Sequence, residues 1–146
     1  MSKKQTGETP NPDKDSVLQE DVVKRKLRSW LGVQGYKRVD VAMGKKHGAD
    51  IVAQNDSGKW IIEVKGCGSR RPMRVNYFLA VLGEILQRMN EDEYGKNAKY
   101  SIAFPDMKQY RDLWKKLPPQ AKKRLKISVL FVKNNGQVAE EENPPS

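Results

Sequence analysis

Apolar residues recur at helix and strand spacings through the middle of the chain and give way to polar sequence at both ends. Val23, Leu27, Trp30 and Leu31 are spaced as one face of a helix. Asp15 or Ser16 serves as its N-cap, Gln19 completes a capping box with Ser16, and Gly32 ends it. "GYKRVDVAM" reads as a strand, and "ADIVAQ" and "KWIIEVKG" as two more joined by the Asp-Ser-Gly turn. A long helix over about Val75 to Glu91 takes Val75, Leu79, Leu82, Ile85, Leu86 and Met89 as its apolar stripe. "KYSIAF" is a strand, and Pro105-Asp106 opens a helix with Tyr110, Leu113, Trp114 and Leu117 on one face, stopped by Pro118-Pro119. A short helix around Gln120 to Leu125 precedes the last strand, "KISVLFV".

This order predicts an α/β fold with a mixed β-sheet of about five strands flanked by helices. Three strands joined by short turns form an antiparallel meander, and a helical crossover adds later strands, at least one of them parallel to its neighbour. Residues 1–14 and 139–146 are polar, proline-containing and aperiodic, so both are expected to be disordered tails around one domain at 15–138. No Gly-rich phosphate loop follows any strand, which argues against nucleotide-binding folds.

Charge narrows the partner. The 146 residues carry a net charge of +10, a balance that favours polyanions. DNA is the first expectation and RNA the alternative, with plain solubility as the bland reading. No apolar run is long enough to span a membrane, and the N-terminus lacks the apolar segment of a secretory signal. A lone Cys67 forms no internal disulfide, and no Cys/His cluster offers a zinc site, so a reducing, cytoplasmic location is the simplest expectation.

The chemistry concentrates in the hairpin "GADIVAQNDSGKWIIEVKG". Along its second strand Trp60, Ile62 and Val64 face one way and Ile61, Glu63 and Lys65 the other, which predicts a central strand covered on both sides. Closing the turn brings Asp50 beside Glu63 and Lys65. Two carboxylates held together repel unless a cation lies between them. A hard divalent ion, most simply Mg²⁺ with Mn²⁺ as a substitute, takes such oxygens, and the backbone carbonyl of Val64 adds another. Lys65 would orient or deprotonate an attacking water, or stabilise a negative transition state.

Asp50 followed by Glu63-Val64-Lys65 resembles the active-site signature of the PD-(D/E)XK nuclease superfamily, with its restriction-endonuclease-like αβββαβ core. Ala49 stands where the motif's name places proline. The resemblance covers roughly residues 16–104 and implies Mg²⁺-dependent hydrolysis of DNA phosphodiesters. It also implies a further carboxylate from the first helix, a position that Glu20 fits, with Asp21 as the competitor. The long helix in some such nucleases sends a Glu or Gln toward the metal; Gln87 is the candidate here, against a solvated helix face, with Glu84 nearby.

Arg70, Arg71 and Arg74 follow the active strand directly, and Lys45 and Lys46 precede the hairpin; these are the candidate phosphate contacts. His47 is a peripheral candidate for touching a phosphate or the attacking water. Trp30, Trp60 and Trp114 sit on apolar stripes and read as core rather than as stacking platforms. Three readings of the function follow: a metal-dependent nuclease, a non-catalytic nucleic-acid-binding module on the same fold, and an RNA-associated protein whose trio is an internal salt bridge. Either nucleic-acid reading admits a homodimer or a larger protein partner.

Overall fold

The computed structural model describes residues 19–44 and 48–142. They form helix α1 (Glu20–Val33), strands β1 (Arg38–Val41), β2 (Ile51–Asn55) and β3 (Gly58–Val64), helices α2 (Arg71–Gln87) and α3 (Glu91–Tyr94), strand β4 (Lys99–Pro105), helices α4 (Lys108–Lys116) and α5 (Pro119–Leu125), and strands β5 (Ile127–Val132) and β6 (Val138–Glu141). The six strands lie in chain order in one mixed sheet. β1–β2, β2–β3 and β5–β6 pair antiparallel, whereas β3–β4 and β4–β5 are parallel across helical crossovers. The expected α/β architecture is therefore present, with one more strand than predicted.

The sheet is covered on both faces, and the two faces of β3 belong to different cores. Val23, Leu27 and Leu31 of α1 pack on Trp60, Ile62 and Val64 of β3 and on Ile51 and Ala53 of β2. On the opposite face Ile61 joins Phe78, Val81 and Ile85 of α2, Ile102 and Phe104 of β4, and Tyr110 and Trp114 of α4. The alternation predicted for β3 thus places Glu63 on the α2 side, where it is buried. Trp60 and Trp114 are core residues; Trp30 is half-buried and meets Trp60 edge-on at 5.7 Å.

Three local expectations change. Gly32 lies inside α1, and the chain reverses at Gly35, whose φ of +99° suits glycine. The N–H of Tyr36 reaches back to the Leu31 carbonyl at 3.1 Å, closing a Schellman-type end. The proposed start at Asp15 or Ser16 lies outside the described residues. α2 begins earlier and ends earlier than expected; of the predicted stripe it fully buries only Ile85, together with Phe78 and Val81, while Leu82 and Met89 pack at the core's edge. Val75, Leu79 and Leu86 are exposed, Leu79 to 62%. Finally, residues 139–141, assigned to a tail, extend the sheet as part of β6: Val138 pairs with Val132 and Glu141 with Val129. Among the described residues no helix is long and apolar enough to cross a membrane.

Candidate active site

The hairpin sets the site's geometry. Asn55 Oδ1 accepts from the N–H groups of Ser57 (2.8 Å) and Gly58 (3.1 Å), so the asparagine caps its own turn. The resulting register pairs Asn55 with Gly58 and Ile51 with Ile62. Continued one step further, it sets Asp50 opposite Glu63. There the ladder is replaced by bonds to carboxylates: the Asp50 N–H donates to Glu63 Oε2 (3.0 Å), and the Val64 N–H donates to Asp50 Oδ2 (2.8 Å).

Lys65 leaves β3 on the same side as Glu63, and its Nζ lies 3.1 Å from Glu84 Oε2 and 5.8 Å from the centre of the Tyr77 ring. Two cations that the sequence reading did not assign complete the cluster. Lys24 Nζ lies 3.3 Å from Asp50 Oδ1 and 3.1 Å from Glu20 Oε2, and it donates to the Ala42 carbonyl at 2.6 Å. Arg88 places Nε 3.3 Å from Glu63 Oε2 and donates to the Gly48 carbonyl at 3.1 Å. Asp50 and Glu63 thus meet at the end of the hairpin and Lys65 turns to Glu84, whereas Glu20 reaches Asp50 only through the Lys24 ammonium.

Tyr77, Val81, Glu84 and Arg88 fall on one line of α2 at spacings of four, three and four, so the helix presents Glu84 and Arg88 to the site together. Gln87 is exposed and makes no hydrogen bond to the trio among the described residues. A hint existed for Arg88, four residues after Glu84. The same spacing linked Lys24 to Glu20, and Lys24 lies on the register of Val23, Leu27 and Leu31, but neither fact gave it a role at the site.

Burial and charge decide the electrostatics. Glu63 is only 3% exposed, and its pKa is pushed up from 4.5 to about 7, first by desolvation and then by the neighbouring Asp50 charge. The Asp50 N–H and the Arg88 guanidinium pull the other way and do not compensate. For Lys24 burial opposes the charge most strongly, yet Asp50 and Glu20 together raise its pKa above the ordinary lysine value.

A divalent cation can be tested against this donor set. The Asp50 charge is close enough to raise the Glu63 pKa, and a buried Glu63 that Arg88 offsets only in part is the group that a cation would relieve. The Val64 carbonyl leaves β3 on the same edge as its N–H, toward Asp50. Two carboxylates and a carbonyl suit a hard ion that retains several waters. The residues therefore fit the group, although no set of three or more His, Cys, Asp or Glu side chains is gathered for a metal among the described residues.

The basic candidates divide. Arg70 and Arg71 are exposed at the N-terminal end of α2. Arg74 is instead committed within the fold: its Nε donates to the Cys67 carbonyl (2.6 Å) and its guanidinium to Gln109 Oε1 (3.0 Å). With the buried bond from Tyr110 Oη to the Gly66 carbonyl (2.8 Å), this fastens the loop after β3 to α4. Beside that loop a cavity of about 310 Å³ is lined by Glu20, Gly66, Cys67, Ser69, Met73 and Tyr77, among others. Lys45, Lys46 and His47 lie outside the described residues.

No family model matches the chain, and no curated protein matches it in sequence. Solved structures that share its fold include the following two. One is an fdxN element excision controlling factor protein from Anabaena variabilis, with a TM-score of 0.58 and 16% identity, covering 82% of this chain and 96% of its own. The other is an XisH family protein from Nostoc punctiforme, with a TM-score of 0.54 and 14% identity, covering 82% and 97%. At these identities the likeness concerns the fold alone.

Proposed function

We propose that this protein is a cytoplasmic, metal-dependent phosphodiesterase of the PD-(D/E)XK type that cuts DNA by in-line attack of water. The observation that carries this reading is the bond from the Asp50 backbone N–H to Glu63 Oε2 (3.0 Å), which sets the two acidic residues side by side at the end of the β2–β3 hairpin, with Lys65 two residues on along the same side. Asp50, Glu63 and the Val64 carbonyl would hold Mg²⁺, with Glu20 at the rim. A bound Mg²⁺ supplies a water of lowered pKa and neutralises charge developing on a phosphoryl oxygen. Lys65 orients the attacking water or meets the negative charge of the transition state, and Glu84 holds its ammonium in place. The exposed guanidiniums of Arg70 and Arg71 hold the phosphate backbone. The net charge of +10 supports a polyanion such as DNA as the partner.

The test is cleavage of plasmid, single-stranded and branched DNA with Mg²⁺ or Mn²⁺. Wild type cuts and Asp50→Ala does not; equal cutting by both would show that the site is misassigned.

A second reading is favoured by one observation: each member of the trio already has an ionic partner within the chain. A non-catalytic nucleic-acid-binding module would need nothing more. Thermal melting separates the two, since Ca²⁺ or Mg²⁺ stabilises the wild type and not Asp50→Ala only if a metal site exists.

A further inference from the structure

Lys24 is the least expected residue in the core. It sits on the buried stripe of α1 between Val23 and Leu27 and has no solvent exposure. All three donors of its ammonium have oxygen partners: the Ala42 carbonyl at 2.6 Å, Glu20 Oε2 at 3.1 Å and Asp50 Oδ1 at 3.3 Å. Stability is a poor explanation for such a group. A buried ion pair costs nearly as much in desolvation as its attraction returns, and an apolar residue of similar volume often serves the fold as well.

Its position supplies a better one. Asp50 has one oxygen engaged by the Val64 N–H and the other by Lys24, while Glu20 Oε2 faces the same ammonium. Lys24 therefore occupies one oxygen of Asp50, assigned above to a divalent cation, and the Glu20 oxygen at the rim of that site. We infer that Lys24 is a positioning residue that acts as a resident counter-charge: it holds Asp50 and Glu20 in the metal-free protein, must yield Asp50 Oδ1 when a divalent cation binds, and so weakens and gates metal loading. The inference rests on the reading of Asp50 and Glu63 as metal ligands. It requires no bond to form or break beyond hydrogen bonds and coordination. Val64, by fixing the other oxygen of Asp50, keeps that carboxylate aimed while Lys24 withdraws.

Lys24→Met keeps the length and volume of the stem and removes the charge, so the experiment is calorimetric titration of Ca²⁺ into full-length wild type, Lys24→Met and Asp50→Ala. Lys24→Met should bind Ca²⁺ roughly tenfold more tightly than wild type or better, because a cation adjoining the ligand carboxylate is gone. Asp50→Ala should not bind. A merely structural lysine would lower the melting temperature of Lys24→Met and leave Ca²⁺ affinity equal or weaker. That result overturns the inference and leaves the active-site assignment standing. Binding by Lys24→Met but not by wild type supports the inference and favours the non-catalytic reading. Binding by neither, or equal binding by Asp50→Ala, overturns both. Should Lys24→Met fail to fold, Lys24→Gln, which retains a donor for Ala42, takes its place under the same outcomes. Should both fail, the ¹⁵N signal of the Lys24 ammonium in wild type decides: it shifts on Ca²⁺ addition if the lysine is displaced, and a signal unmoved while Asp50 responds overturns the inference.

Discussion

The backbone N–H of Asp50 donates to Oε2 of Glu63 at 3.0 Å, so the last rung of the β2–β3 ladder ends on a buried carboxylate instead of a carbonyl. This ties the protonation of Glu63 to the pairing of the two strands. Between about pH 4.5 and 7 the folded protein keeps a proton that the unfolded chain has released. The contribution of Glu63 to stability is thus greatest at the acid end and is lost as pH rises through 7. Urea unfolding across this window should show wild type losing stability relative to Glu63→Gln as pH increases. A difference that is flat with pH would place Glu63 in a solvated environment. Arg88→Ala should extend the wild-type decline to higher pH, because it removes the cation that offsets the ionised form.

Lys65 and Glu84 make a second measurable pair. If Glu84 only aims the Lys65 ammonium, Glu84→Gln should lower cleavage by about 10- to 100-fold while leaving Ca²⁺ affinity unchanged. Lys65→Ala should cost about 10²- to 10⁴-fold, as for loss of a proton-transfer or charge-stabilising group. A Glu84→Gln variant that loses Ca²⁺ binding would make Glu84 a ligand rather than an aiming group.

The arginines after β3 should separate by assay. Arg70→Ala with Arg71→Ala should weaken DNA binding and reduce the slope of log affinity against log salt by about 1 to 2. Melting temperature should hardly move, because both side chains are exposed. Arg74→Ala should instead destabilise by about 1–3 kcal/mol, leaving the Cys67 carbonyl and Gln109 without their donor, and should not change the salt slope. A large salt-slope change for Arg74→Ala would mean that its guanidinium leaves the loop to reach phosphate.

Neighbouring positions on α2 should behave in opposite ways. Phe78 is buried and stacks on Phe104 with ring centres 5.6 Å apart, so Phe78→Ala should cost about 3–5 kcal/mol. Leu79 is exposed, and Leu79→Ala should change stability by less than about 0.5 kcal/mol. Chemical denaturation of the two variants checks which face of the helix meets the sheet.

That last contrast also shows where sequence reading stops. In α2, Val75, Phe78, Leu79, Val81, Leu82, Ile85 and Leu86 spread over an arc of about 160°, wide enough for two overlapping stripes to satisfy helical spacing. Only the position of the sheet chooses between them, and that information lies in distant strands. The β3 alternation was legible because a strand has two faces and Glu63 and Lys65 share one. Lys24 stood on the apolar register of α1, but its burial was not legible for a different reason: a lysine in an amphipathic helix is ordinarily solvated, and only the convergence of Asp50, Glu20 and the Ala42 carbonyl makes its burial tolerable. Gln87 and Glu84 were separable only once the rotation of α2 was known. β6 lacks an apolar pattern altogether; its residues are half-buried, and Glu140 instead accepts from Lys99 and Ser128.

The turn capped by Asn55 carries a consequence for how this sequence can vary. Its two-residue length is a parity constraint. One residue added or removed there, if passed on to the pairing, would move Glu63 to the α1 face and deliver Ile62 or Val64 toward Arg88. Insertions elsewhere would merely lengthen a loop, but here length and chemistry are one variable. Natural variants of this hairpin should change the identity of Asp56 and Ser57 freely and their number only in steps that preserve which way Glu63 points.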